Sequence, residues 1–199
     1  MKADEAAELM DKERESDRFK ERAAVAIAFF AMVLAICGLG GSNAGKEALN
    51  NSVLASNYFN FYQAKHMRQA MIVLAADELE FGWLNQPAVP DAVKQAMRGR
   101  LDQHRKTAAR YESEPDTREG KKELLLRARE HEQKRDLALK QDPYFDYAEA
   151  LLQIAIVLIS VSIIAGVVWL SLLGGAVGLI GVLLTINGFT LLVEIPGLA

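Results

Sequence analysis

From residue 150 to residue 193 the chain carries no charged side chain. Residues 150–170 contain only Gln153, Ser160 and Ser162 as polar groups, and residues 172–193 only Thr185, Asn187 and Thr190. At ~1.5 Å of rise per residue each passage reaches roughly 30 Å as a helix, the thickness of a bilayer core. The pattern predicts a membrane hairpin, with helices over 148–170 and 172–193, a small-residue turn over 171–175 and a short tail over 194–199.

Composition becomes informative once it is divided by position. Of 26 acidic residues only Glu194 lies beyond the first of these runs, and all 23 basic residues precede them. A single water-soluble core would interleave apolar and charged residues at helical or strand period, whereas here they segregate into blocks, as a lipid environment requires. Residues 1–22 hold eight acids and six bases with no Gly or Pro. They read as a solvated helix, with Glu8 and Lys12 in the favourable i,i+4 order. That helix should lead directly into a first membrane helix over 23–41. Leu34, Ala35, Ile36 and Cys37 resemble a lipidation signal, but Ile36 stands where a small residue is needed, so Cys37 reads as a plain intramembrane thiol.

Residues 42–147 form a water-facing insert that is helix-compatible almost throughout. Ser42 or Asn43 could cap its first helix, along which Leu49, Val53, Leu54, Tyr58, Phe61, Tyr62, Met67, Met71, Leu74 and Leu79 recur at steps of three and four. The run should end in a tip over 83–90 that carries Trp83, Pro87 and Pro90. A second helix is expected from Asp91 to about Ser113. A third should start with Asp116 and Glu119 as a capping-box-like pair and present Leu124, Ala128, His131 and Ala138 as a sparse seam. Asp142 followed by Pro143 reads as the start of a fresh helix into the membrane, with Tyr144, Phe145 and Tyr147 at interfacial height. The expected fold is therefore an all-α membrane protein: three transmembrane helices, with an elongated, coiled-coil-like helical insert between the first and the second.

Contact surfaces are the candidate sites. Gly174, Gly178, Gly181 and Thr185 form a small-residue face on the last helix, and Ser162 and Gly166 offer a matching groove on the preceding one. In lipid such faces permit the close backbone approach that holds helices together, within the hairpin or between subunits. Gln153 and Asn187 should reach comparable depth in an antiparallel hairpin and could clamp it by an amide–amide hydrogen bond. The cluster Tyr58, Phe59, Phe61 and Tyr62 marks either a contact with a partner or the insert's own seam.

No catalytic, cofactor-binding or metal-binding residue is expected. His66, His104 and His131 lie far apart in sequence, Glu130 and Glu132 point to other faces than His131, and no nucleophile elbow, phosphate loop or dinucleotide fingerprint occurs. Basic residues between Arg98 and Arg110 lack stacking aromatics, which excludes nucleic acid as a partner. Arg18, Lys20 and Arg22 place the N-terminus in the cytoplasm by the positive-inside rule, and hence the insert and C-terminus on the outer side.

The segments GLGGSNAGKEALNNSVLASNYFNFYQAKHMRQ and FDYAEALLQIAIVLISVS resemble a family of bacterial membrane proteins designated domain of unknown function 4337. Ser56, Tyr62, Gln63, Ala64 and Lys65, with Ala148, Glu149, Leu152, Gln153, Ile154 and Ala155, carry the similarity. The resemblance implies a bacterial inner membrane and the three-helix plan, and brings no activity, cofactor or catalytic residue. A straight helix would hold Lys65 ~30 Å beyond Gly45, out of reach of Asp146 and Glu149. The expected role is a non-enzymatic accessory or scaffold subunit, in a homo-oligomer or a larger membrane complex, with the lipid bilayer as its other partner. A homo-oligomeric pore or transport component is the alternative, and a sensor or enzyme acting through the insert the third.

Overall fold

A computed structural model describes residues 3–84 and 89–196. The chain forms four helices: α1 (Ala3–Leu84), α2 (Asp91–Glu112), α3 (Lys121–Ala165) and α4 (Val168–Thr190). No strand occurs among the described residues. Helices α1, α3 and α4 are each long and apolar enough to cross a membrane. The expected tip lies partly outside the described residues, as do the side chains of Trp83, Glu8 and Lys12. Contacts divide the chain into two compact units, residues 1–48 with 136–199, and residues 49–135.

Several expected helix ends are corrected. Ser42 and Asn43 cap nothing, because α1 passes through them without a break. The nearby glycines serve packing instead: a Cβ on Gly40 would come within 2.6 Å of the Phe145 ring, and one on Gly41 within 3.2 Å of Phe145 Cβ. Pro143 likewise starts no helix and lies inside α3. It forfeits one backbone bond there, while Tyr144 and Phe145 just beyond it are both almost fully buried.

The hairpin turn is at Gly166 and Val167, not at 171–175. Gly166 takes φ +65° and the Val167 N–H bonds to the Ser162 carbonyl at 3.1 Å. This is a left-handed C-terminal cap in which glycine meets no steric penalty. Ser171, Gly174 and Gly175 consequently lie within α4.

In the first unit, Phe30, Val33 and Cys37 of α1 and Phe145, Ala148, Leu152, Ala155 and Ile159 of α3 share a core. Cys37 donates its S–H to the Phe145 carbonyl at 3.3 Å. In the second unit, α2 and then the first turns of α3 run back along α1. Glu80 pairs with Arg105, Gln69 with Ala108, Tyr62 with Lys121 and Asn51 with His131, so partners climb one arm as they descend the other.

The corner between α2 and α3 is closed by Glu123, not by Asp116 and Glu119. Its carboxylate accepts from Ser113 Oγ at 2.6 Å and from the Glu114 N–H at 3.1 Å. These bonds hold Glu123 below the usual carboxylate range. A Cβ on Gly120 would fall within 2.7 Å of Ser113 Cα, which explains a glycine immediately before the helix.

Candidate functional site

The small-residue face of α4 is occupied from within the chain. A Cβ on Gly174 would meet Ile159 Cγ1 at 2.8 Å and the Ala155 carbonyl oxygen at 3.1 Å, and one on Gly181 would meet Leu152 Cγ at 2.9 Å. Gly178 receives the Phe30 ring, whose Cε1 would lie 2.6 Å from an added Cβ. Thr185 and Ser162 are buried, and each hydroxyl returns a hydrogen bond to its own helix, to Gly181 O and Ile159 O respectively. Gly188, absent from the expected set, continues the face by accepting Phe145, with 2.9 Å from an added Cβ to its Cε1. Its step of seven from Gly181 is the signal that could have found it. Gly166 does not join this face: it forms the turn, with nothing within 4 Å of an added Cβ.

The expected clamp between Gln153 and Asn187 does not form. Gln153 is exposed and donates to Glu149, one turn back on its own helix, at 3.1 Å. Asn187 folds over the end of α4, donating to the Val193 carbonyl at 2.8 Å and accepting from the Val193 N–H at 2.9 Å. The reason is local. Leu191 adopts a left-handed conformation at φ 47°, which brings the tail's backbone within reach of the amide before any partner on α3 can compete. Tyr144 completes the arrangement, its hydroxyl donating to the Val193 carbonyl at 3.2 Å and accepting from the Ile195 N–H at 2.9 Å.

In the second unit the apolar residues expected to fill the seam mostly point outward. Leu49, Val53, Phe61, Met67, Met71 and Leu74 are all more than half exposed, and Leu54, Tyr58, Tyr62 and Leu79 are partly buried. The face turned toward the returning arm carries Asn51, Ala55, Lys65 and Ala76, all buried, together with Gln69. Both faces repeat at steps of three and four, so periodicity alone could not choose between them. The inward face is the one whose polar groups, Asn51, Lys65 and Gln69, find partners and whose alanines allow close approach.

His131 Nδ1 lies 2.8 Å from Asn51 Oδ1, and its ring stacks on Tyr58 at 5.5 Å. Arg127 lies over the Tyr58 ring, 5.5 Å from its centroid. Lys65 sits 3.8 Å from both Glu114 and Glu119 and 5.2 Å from the centre of the Tyr111 ring. Lys121 donates to Gln69 Oε1 at 2.7 Å and to Glu112 at 2.9 Å, while Gln69 Nε2 donates to the same Glu112 oxygen at 3.1 Å. Hydrogen bonds from Lys121 and then Gln69 hold the Glu112 carboxyl below its usual range.

Of the expected aromatic cluster, Tyr58 and Tyr62 thus belong to the internal seam, Tyr62 also stacking on His66 at 6.2 Å. Phe59 is half-buried and Phe61 faces outward. The α3 positions Leu124 and Ala128 are buried in the seam as expected. Among the described residues no three His, Cys, Asp or Glu side chains gather closely enough to hold a metal ion.

What the arrangement offers is surface: a hydrogen-bonded seam whose bonds are internally satisfied, and an outward apolar face on α1. No curated protein and no solved structure matches the chain. A family model does, over residues 19–191, from the end of the charged N-terminal segment to the residue that follows α4. The chain therefore belongs to the family described as domain of unknown function DUF4337.

Proposed function

We propose that this chain is a non-catalytic accessory or scaffold subunit of a bacterial inner-membrane assembly. The observation that carries this reading is the outward placement of Val53, Phe61, Met67, Met71 and Leu74 on α1, beside a seam closed by polar bonds. Large side chains exposed in this way on a water-facing element favour association, because covering them removes apolar surface from water. Gly174, Gly178, Gly181 and Gly188 of α4 are filled by Ile159, Phe30, Leu152 and Phe145, so association is assigned to α1 and not to that face.

In this reading the N-terminus is cytoplasmic, with Arg18, Lys20 and Arg22 beside the first apolar stretch, and the insert and C-terminus are periplasmic. A common side for the last two is supported by Lys140, before the apolar part of α3, which bonds Glu194 of the tail at 3.1 Å. The test is gentle detergent extraction from native membranes, followed by sizing and mass spectrometry. The subunit should emerge in a stoichiometric complex. A monomer with nothing bound would sink the proposal.

A further inference from the structure

Resting on the scaffold reading, a more specific inference concerns what covers the outward face of α1 in the second unit. Val53, Met67, Met71, Leu74 and Phe81 are 51%, 61%, 65%, 60% and 71% exposed. They fall in one frame of alternating three- and four-residue steps, whose remaining positions are Asn57, Asn60, Ala64 and Glu78, all exposed as well. A strict 3.5-residue seam is narrower than the stripe by which a helix joins a globular core, and it matches another helix wound along it.

We propose that this seam pairs with the same seam of a second copy, parallel and in register, as a two-stranded coiled coil. Three features select a second copy. First, Asn57 and Asn60 interrupt the apolar frame, and a primary amide carries both donor and acceptor, so each finds its complement in the identical residue of a parallel, in-register copy. A staggered or unrelated apolar helix would leave those amides against hydrocarbon. Second, copies of one chain enter a bilayer in the same sense, so neighbouring seams run in the same direction. Third, the opposite face of α1 in this unit is already taken by α2 and α3, through Asn51, Lys65 and Gln69, and the seam is the face left over.

Glu78 is the one layer where identical neighbours oppose the pairing, since two carboxylates would meet across it. It sets the pairing's weakest point near one end and supplies a test that strengthens association instead of abolishing it.

The experiment uses the full-length protein in membranes, with Cys37→Ala removing the buried native thiol and a single new cysteine introduced by Leu74→Cys, Met67→Cys or, as an off-seam control, Val73→Cys. Val73 is also exposed, at 44%, but lies outside the frame. Under mild oxidation Leu74→Cys and Met67→Cys should give at least about tenfold more disulfide-linked dimer than Val73→Cys. Adding Glu78→Leu to Leu74→Cys should raise the dimer yield further. Equal linking at 73 and 74, or no linking at either, overturns the pairing. A foreign protein co-extracted in stoichiometric amount without any link at position 74 overturns it too, while leaving the scaffold reading intact. Loss of both the link and all co-extracting partners overturns both.

Discussion

The two units of this chain sort their side chains by different rules. In the first, apolar groups are inside and outside alike, and what distinguishes the inside is size: glycine, alanine and cysteine face Phe30, Leu152, Ile159 and Phe145. Val25, Phe29, Met32, Ile36 and Leu39 stay on the surface. In the second, Asn51, Lys65 and Gln69, with their polar partners, share the inside with Ala55, Ala76, Leu101, Leu124 and Ala128, while large apolar residues such as Met67, Met71 and Phe81 lie outside. Lipid explains the first pattern, because hydrocarbon solvates a leucine as well as a protein interior does, leaving close packing to discriminate. The second pattern has no such solvent to explain it. There, hydrogen-bond complementarity between two helical arms accompanies the burial of alanines and of Leu101 and Leu124, and the large apolar residues of α1 are left for another surface.

The comparison can be broken most severely at Gly178. Gly178→Leu should destabilise the first unit by ~3 kcal/mol or more, since the buried Phe30 ring occupies the space. Gly175→Leu, where nothing lies within 4 Å of an added Cβ, should be tolerated. Thermal unfolding in detergent compares the two, and equal losses would refute packing by size.

In the second unit Asn51→Leu should cost about 2 kcal/mol, because it strands the partly buried His131 nitrogen. Adding His131→Leu should recover much of that loss, as expected if complementarity rather than polarity holds the seam. A smaller effect concerns acid. The folded Glu112 carboxyl lies below its ordinary value of 4.5, so its stabilisation is present above that value and lost as pH falls through the lowered folded one. Melting curves between about pH 6 and pH 3 should show this decline, and Lys121→Met should flatten it. The smallest change is expected at Leu126, 66% exposed on α3: Leu126→Ser should stay within about 0.5 kcal/mol. A loss of several times that size would show that the outward residues support their own unit.

Much of the architecture was legible in the sequence because lipid imposes a blunt pattern. The uncharged passages, the start of α2 after Pro90 and the buried Leu124 and Ala128 all follow from composition and spacing. The structure departs from the sequence pattern where a tertiary partner outweighs a local signal. Ser42, Asn43 and Pro143 resemble helix starts, yet Phe145 packs on Gly40 and Gly41 and tight packing carries both helices through. Ser171, Gly174 and Gly175 are small and so resemble a turn, whereas the left-handed backbone is needed one residue past Ala165, at Gly166. On α1 in the second unit two faces share one period, and only the partners of Asn51, Lys65 and Gln69 reveal which is inward.

The tail beyond α4 has a mechanical consequence. Val193, Glu194 and Ile195 are tied to Tyr144 and Lys140 of α3, and Asn187 ties Val193 to α4 itself. To slide α4 along α3 by one turn, ~5.4 Å, would break the ties to α3 together. The hairpin is thereby latched against pistoning, so a bilayer of mismatched thickness must be met by tilting the pair as a body and not by shearing one helix past the other.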